Sequence, residues 1–242
     1  MPIEIGQIEA IFRYPVKSMR GESLEAATLG WHGLDGDRRL AFRRLDECGG
    51  SPWLTASKLP DLIRFTPRGR EGGSGEALPT HVCSPEGEEM PMFGEALAAE
   101  VGRRYGAAVQ MMFLKQGIFD EASISVITSD TVGEVCRLAG RSTDVRRFRP
   151  NILVRSRRAV PFEEDEWLGG VLTFGDGDDA PAVTVITRDV RCAMVNFDPN
   201  GGSAAPEVMK AVVRANHNNA GIYGTVTRIG RLAIGQPIVL RR

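Results

Sequence analysis

A single cysteine, Cys192, lies within a stretch of charged and turn-forming residues that runs from Thr187 to Gly202. Arg188 and Arg191 precede it, and the turn sequence Asp198-Pro199-Asn200-Gly201-Gly202 follows it. The thiolate is the reactive and metal-binding form of cysteine, and cationic neighbours favour that form. Cys192 is therefore the first candidate for chemistry. The alternative interpretation is a small buried apolar residue, as many free cysteines are.

Three loops contain side chains that can hold an anion. Lys17 and Ser18 lie in a proline- and glycine-bounded loop, Arg38 follows a turn rich in glycine and aspartate, and residues 144–149 contain three arginines before a predicted strand. Lysine, hydroxyl and backbone N–H groups in a loop can hold a phosphate, and guanidinium groups recognise planar or tetrahedral anions in pairs of hydrogen bonds. Taken alone, each loop is explained as simply by a solvated basic turn.

The composition is that of an ordinary globular protein. The chain has 242 residues, of which 42% are hydrophobic and 25% are charged, and this length suits one large domain or two modest ones. The net charge of -1 gives no general field for nucleic acid or an anionic membrane, so neither is expected as a partner. Any anion site must come from local arginine clusters.

The four cysteines favour a reduced protein without a structural metal. Cys48, Cys83, Cys136 and Cys192 are scattered and form no C-x-x-C pair, so we expect neither a zinc site nor a disulfide framework. The N-terminus lacks the basic segment and apolar run of a signal peptide, and no run reaches membrane-spanning length. These features predict a cytoplasmic protein.

Alternation of apolar and polar residues predicts a chain made mostly of strands. Residues 3–14 form the first of these strands. Helical spacing appears at residues 94–105, after Ser129, and from Pro206 onward. Cys136 falls on the buried face of the second helix and is better explained as a core residue. We therefore predict a mainly β or α+β fold with few helices, divided into residues 1–114 and 115–242.

Five short motifs, in this order and spacing, carry a resemblance that covers nearly the whole chain. They are Tyr14-Pro15-Val16-Lys17-Ser18, Gly33-Leu34-Asp35-Gly36-Asp37-Arg38, Phe148-Arg149-Pro150-Asn151-Ile152, Arg191-Cys192 followed by Asp198-Pro199, and Gly224-Thr225-Val226 through Ile234-Gly235-Gln236-Pro237-Ile238. With them the chain resembles the molybdenum-cofactor-sulfurase C-terminal (MOSC) family, in the form with an N-terminal MOSC-associated β-barrel domain.

The resemblance implies a MOSC β-barrel packed with an N-terminal β-barrel-like domain, with a molybdopterin cofactor between the two. It also implies that Cys192 coordinates molybdenum, a role that suits a soft thiolate. By matching position, the remaining site residues would contact the pterin phosphate (Lys17, Ser18, Arg38), line the pterin cleft (Ser123, Thr128, Arg149, Asn151), or flank the metal ligand (Arg188, Arg191).

Similar proteins include the mitochondrial amidoxime-reducing components and their bacterial relatives, which reduce N-hydroxylated compounds. The resemblance therefore implies an oxidoreductase for N-oxygenated small molecules, with Asp120 or Glu121 as a proton source. The chain ends at Arg242, before any iron–sulfur domain of the kind some relatives carry. We accordingly expect electrons to come from a separate iron–sulfur, flavin or cytochrome protein.

Two other functions fit the same residues. The stretch Ala193-Met194-Val195-Asn196-Phe197 lacks the Thr-Thr that commonly follows this cysteine in the reductases. A non-catalytic carrier, in which Cys192 holds a persulfide or hands the cofactor to another enzyme, is the first alternative. The second is a β-barrel interaction module with a vestigial pocket.

Overall fold

A closed β-barrel, a smaller β-rich unit and two covering helices make up the part of the chain that the structure, a computed structural model, describes. The described residues are 2–47, 49–69, 78–201 and 204–242. Cys48 and Gly202 lie outside them. The prediction of a mainly β fold with few helices is confirmed.

Sixteen strands lie in these ranges: β1 (Ile3–Arg13), β2 (Glu22–Leu24), β3 (Ala26–Gly30), β4 (Gly33–Leu34), β5 (Leu40–Arg44), β6 (Thr66–Arg68), β7 (His81–Cys83), β8 (Glu89–Pro91), β9 (Val109–Phe113), β10 (Ile124–Thr128), β11 (Ile152–Ser156), β12 (Val171–Phe174), β13 (Ala182–Val190), β14 (Asn219–Arg228), β15 (Gly230–Ala233) and β16 (Pro237–Arg241). The helices of the same ranges are α1 (Glu95–Tyr105), α2 (Ser129–Leu138) and α3 (Pro206–Asn216). Short 3₁₀ helices span Pro60–Arg64, Val145–Arg147, Glu163–Trp167 and Ala193–Asn196.

Seven strands close into the barrel in the order β11, β10, β14, β13, β12, β16 and β1, and β1 pairs back onto β11. Inward-facing side chains of these strands form one apolar core. A bulge between Ile8 and Ala10 shifts the alternation of β1, so that Ile8 and Ile11 both face this core. Closure leaves few unpaired strand edges and buries every second side chain of each strand.

The first strand of the chain belongs to the barrel. Ile8 of β1 lies opposite Val154 of β11, and Ile3 lies opposite Leu240 of β16. The chain thus starts in the barrel, leaves it to form the smaller unit, and returns at β10. The division into residues 1–114 and 115–242 stays a prediction, and β1 is the strand that joins its two parts.

A second apolar core lies between residues 16 and 111, among the pair β5–β9, the small sheet β6–β7–β8, and α1. Helix α1 buries Leu97 and Val101, which lie one turn apart, and it ends at Gly106 in a left-handed conformation. The helix predicted for residues 94–105 is confirmed.

Helices α2 and α3 cover the outside of the barrel. Val135 and Cys136 of α2 and Val212 of α3 pack with Ile127 in a third apolar cluster. The prediction of Cys136 as a core residue is confirmed, and burial raises the pKa of its thiol. In the described ranges, no helix has the length and apolar character needed to cross a membrane.

Candidate functional site

A cavity of about 300 Å³ opens at the end of the barrel where the smaller unit meets it. We call it the main cavity. It is lined by side chains from loops that are far apart in sequence, including Lys17, Ser18, Arg38, Arg149, Arg191 and Cys192. The structure thus brings six of the predicted site residues to one place.

Three of these residues adopt a left-handed backbone conformation. The φ angles are 67° at Ser18, 51° at Arg38 and 51° at Arg149. This conformation costs a non-glycine residue roughly 1–2 kcal/mol, and such residues cluster at binding and catalytic sites. Backbone hydrogen bonds hold two of the loops, from Arg38 N to the Tyr14 carbonyl at 2.8 Å and from Met19 N to the Val16 carbonyl at 3.1 Å.

The Tyr14 ring lies within cation–π distance of two guanidinium groups. The ring centroid is 4.9 Å from Arg38 Cζ and 4.2 Å from Arg149 Cζ. The ring is 2% exposed, and burial raises the pKa of its hydroxyl to about 12. Tyr14 therefore fixes the two cations in position while staying neutral itself.

Arg38 is a compensated cation. Its guanidinium forms an ion pair with Asp37 at 2.5 Å and donates to the Arg149 carbonyl at 3.0 Å and to Asn151 Oδ1 at 3.3 Å. Burial acts to lower the pKa of Arg38, but the Asp37 carboxylate and the neighbouring tyrosines outweigh it and hold that pKa above its usual value. Asn151 lies behind Arg38 and orients it.

Arg149 is not compensated in this way. Its guanidinium donates to the Met19 carbonyl at 2.7 Å, and within the described ranges it has no carboxylate partner. Burial, together with the positive charge of Arg38, lowers the pKa of Arg149 to about 10. The main cavity thus contains a half-buried positive charge without a carboxylate partner in the described ranges, which an anionic ligand would neutralise.

Cys192 lies at the mouth of the main cavity with its side chain exposed. The residue before it is held tightly. Arg191 donates to the Ala220 carbonyl at 2.6 Å and to the Phe148 carbonyl at 2.7 Å, and it forms an ion pair with Asp189 at 2.9 Å. Arg191 therefore anchors the segment from which the thiol projects.

Arg147 holds the segment after Cys192. Its guanidinium donates to the carbonyls of Asn196 and Phe197 at 3.3 and 2.9 Å and pairs with Asp198 at 3.0 Å. The cysteine loop is thus tied at both ends by buried arginines.

Three carboxylates, Asp120, Glu121 and Asp189, and the tyrosine Tyr223 also line the cavity. Partial desolvation opposes the charged form of Asp120, but the Lys17 ammonium, 2.7 Å away, outweighs it and lowers the pKa of Asp120. Burial raises the pKa of Asp189 to about 6 despite the opposing charge of Arg191, and Ser125 donates to this carboxylate at 3.2 Å. Tyr223 faces the same cavity, and burial raises its pKa.

Three predicted site residues lie elsewhere. Thr128 caps helix α2, because its Oγ1 accepts from the Thr131 N–H at 3.2 Å and bonds Glu164 at 3.0 Å. Arg188 is exposed because its side chain lies on the outward-facing side of β13. Its guanidinium lies 3.5 Å from the Asp165 carboxylate. Ser123 is half-buried and packs against Gly33 outside the lining of the cavity.

Sequence reasoning missed Tyr14, Asp189 and Tyr223 as parts of the site. Tyr14 and Asp189 lie in motifs whose other residues predicted the site. The local sequence does not indicate that the side chains of Tyr14 and Asp189 are buried there. Tyr223 lies within a predicted strand. Alternation there predicts on which face of the sheet its side chain lies, but not which residues surround it.

Comparison with known proteins gives two family matches. Residues 106–239 match the MOSC domain, and residues 5–88 match the MOSC N-terminal beta barrel domain. A comparison with curated proteins found no match.

Comparison with solved structures gives the following matches. The YuaD protein from Bacillus subtilis has a TM-score of 0.54 at 13% identity, covering 99% of this chain and 97% of its own. YiiM from Geobacillus stearothermophilus has a TM-score of 0.39 at 22% identity, covering 50% and 54%. A hypothetical protein has a TM-score of 0.46 at 10% identity, covering 99% and 69%. The likeness to YuaD extends over both parts of the chain.

Proposed function

The chain belongs to the MOSC domain family, and from that premise we propose that it is a molybdenum-cofactor-binding reductase of N-oxygenated small molecules. MOSC domains are associated with the molybdenum cofactor. The observation that carries the proposal is Arg149, a half-buried cation without a carboxylate partner in the described ranges, in the same cavity as the exposed thiol of Cys192.

The residues present fit this cofactor. Molybdopterin combines an anionic phosphate with a polar ring system and a metal that accepts thiolate sulfur. The main cavity offers cations at Lys17, Arg38 and Arg149, a hydroxyl at Ser18, and a single accessible thiol at Cys192. Cationic and backbone donors suit the phosphate, and a soft thiolate suits the metal.

In the proposed arrangement, Lys17, Ser18, Arg38 and Arg149 form the anion-binding wall of the main cavity. Arg149 offers its uncompensated charge to the phosphate, and Arg38, paired with Asp37 and supported by Asn151, lies beside it. Cys192 is the protein ligand to molybdenum. The cofactor, when bound, supplies a two-electron redox centre. The hydrogen bonds of Arg191 and Arg147 hold the loop on either side of Cys192. The thiol therefore stays at the mouth of the cavity, and the loop does not need to rearrange when the cofactor binds.

Reduction of an N–O bond consumes two electrons and two protons and releases water. A separate iron–sulfur, flavin or cytochrome protein provides the electrons. Protons reach the site through carboxyl groups at its wall. Asp189, whose pKa of about 6 allows it to hold a proton near neutral pH, is better suited than Asp120, whose pKa is lowered beside Lys17.

A carrier function is the second candidate, and the exposure of Cys192 favours it. An exposed thiol can accept and pass on sulfur as a persulfide, whereas a reductase needs the thiol only as a metal ligand. Expression in a host that makes molybdenum cofactor, followed by metal analysis, pterin fluorescence and an assay with an N-hydroxylated compound and a reductant, tests both. Equimolar molybdenum with turnover supports the reductase. Persulfide on Cys192 without turnover supports the carrier, and the absence of molybdenum, pterin and persulfide rejects both.

A further inference from the structure

A second cavity, of about 120 Å³, lies on the other side of the wall formed by Arg147, Arg149 and Met194. We call it the side cavity. Its wall is mainly apolar and aromatic, formed by Phe12, Tyr14, Ile63, Phe197 and Pro199. An apolar cavity of roughly 150 Å³ accepts a benzene molecule. The side cavity is somewhat smaller but reaches the surface beside the exposed Ser23, so one aromatic ring fits with its edge at the opening.

Cations surround this apolar wall. The guanidinium groups of Arg20, Arg147 and Arg149 all belong to its lining. Arg20 donates to the Pro199 carbonyl at 3.2 Å through Nη2, while its Nε has no hydrogen-bond partner in the described ranges. Arg147 Nε and the Tyr14 hydroxyl are also buried without a partner there. An arginine without a carboxylate partner beside the cavity favours a ligand with acceptor oxygens.

The other charged groups of the wall are already engaged. Glu22 accepts from Arg13 Nε at 2.8 Å, Arg146 pairs with Asp144 at 2.7 Å, and Arg147 pairs with Asp198 at 3.0 Å. Arg20 and Arg149 have no carboxylate partner in the described ranges. The remaining balance is positive, which excludes a cationic ligand and favours an anion. A planar carboxylate can accept two parallel hydrogen bonds from a guanidinium group. A bare inorganic ion would leave the apolar wall of the cavity in contact with water, whereas an aromatic ring covers it.

We propose that the side cavity binds a small aromatic carboxylate, with the ring against the apolar wall and the carboxylate at Arg20. This site is distinct from the main cavity and does not depend on the proposed reductase activity. A ligand bound there touches Met194 and Arg149, which also line the main cavity.

Benzoate is the probe for this site, and its binding to the full chain is measured by calorimetry and by ligand-observed NMR. Benzyl alcohol, which has the ring without the charge, and acetate, which has the charge without the ring, are the matched ligands. We expect saturable binding of benzoate and at least tenfold weaker binding of the other two, since a hydrogen-bonded charge contributes more than about 1.4 kcal/mol.

Variants locate the bound probe. Ser23→Phe fills the side cavity from an exposed position on β2 and should abolish benzoate binding. Arg20→Met should weaken it about tenfold. Two control variants should leave benzoate binding unchanged. Arg155→Met removes one exposed arginine outside both cavities, and Lys17→Met removes a cation of the main cavity.

The proposal is overturned if benzoate shows no saturable binding, or if benzyl alcohol binds equally well. It is also overturned if inorganic phosphate displaces benzoate and if Lys17→Met, but not Ser23→Phe, weakens benzoate binding. The probe would then occupy the main cavity. Thermal unfolding of Ser23→Phe and Arg20→Met within a few degrees of the wild type shows that a loss of binding does not reflect a loss of fold.

Discussion

The guanidinium carbon of Arg149 lies 4.2 Å from the centroid of the Tyr14 ring, and the guanidinium of Arg38 lies over the same ring at 4.9 Å. Two like charges are therefore held beside one buried aromatic ring. Asp37 compensates only the second of them by a direct ion pair. This asymmetry distinguishes an arginine that stabilises the fold from one that is available to a ligand.

The first prediction compares those two arginines. Arg38→Met should lower the free energy of unfolding by about 3 kcal/mol, because it leaves Asp37, which is fully buried, without its cation. Arg149→Met orphans no carboxylate and should stay within about 1 kcal/mol of the wild type. Urea unfolding of the cofactor-free protein measures both values.

The same pair separates stability from binding. Arg149→Met should weaken the binding of inorganic phosphate about tenfold, because a charge-assisted partner is lost. An equal loss of stability in the two variants, with unchanged phosphate affinity in Arg149→Met, would show Arg149 to be a structural residue.

The second prediction concerns the thiol. Cys192→Ala, expressed in a host that makes the cofactor, should lose its molybdenum while the cations of the main cavity still retain pterin. Metal analysis and pterin fluorescence report the two quantities separately. Cys83→Ala is the matched control, since Cys83 lies in β7 of the smaller unit, outside the main cavity. Equal molybdenum in the Cys192 and Cys83 variants would rule out Cys192 as the ligand.

The third prediction is a pH dependence of stability. Burial raises the pKa of Glu163 to about 7 from 4.5. A raised carboxyl pKa means that the folded state binds the extra proton, so its contribution to stability is complete below pH 4.5 and is lost as the pH rises through about 7. Glu163→Gln, which is neutral at every pH, should therefore lose less stability than the wild type between pH 5 and 8.

Glu100→Gln serves as the control for that measurement. Glu100 lies on α1 of the smaller unit, and hydrogen bonds from Arg103 and Arg104 lower the pKa of Glu100. Its contribution changes only at acidic pH, so this variant should keep the wild-type slope between pH 5 and 8. Parallel slopes for wild type and Glu163→Gln would show that Glu163 ionises normally in the folded protein.

The fourth prediction tests the close approach of β4 to the segment that leads into barrel strand β10. Gly33 has a φ of 93°, and a Cβ at this position would lie 2.7 Å from the Ser123 carbonyl oxygen. Gly33→Ala should lower the free energy of unfolding by about 2–3 kcal/mol, combining backbone strain with a steric clash. Gly106→Ala has a similar φ of 88° but open space around it, so only the strain of about 1 kcal/mol remains. Thermal or urea unfolding should show a larger loss of stability for Gly33→Ala than for Gly106→Ala. Equal losses of stability would mean that the backbone at Ser123 moves to make room for the added Cβ.

The sequence by itself determined the mainly β fold, the three helices and the candidacy of Cys192. Alternation and helical spacing are local properties, and the buried face of α2, including Cys136, follows from them. The order of the five motifs identified the family, because each motif is a short run whose residues need no partner to be recognised.

Tertiary structure decided which of those residues share a site. The pairing of β1 with both β11 and β16 joins positions more than 140 residues apart, and no local pattern encodes such a register. The bulges of β13 and its pairing with β14 set Asp189 inward and Arg188 outward, so adjacent residues with similar sequence signals reach opposite environments. The left-handed conformations of Ser18, Arg38 and Arg149 likewise arise from long-range packing, because nothing local favours them at non-glycine residues.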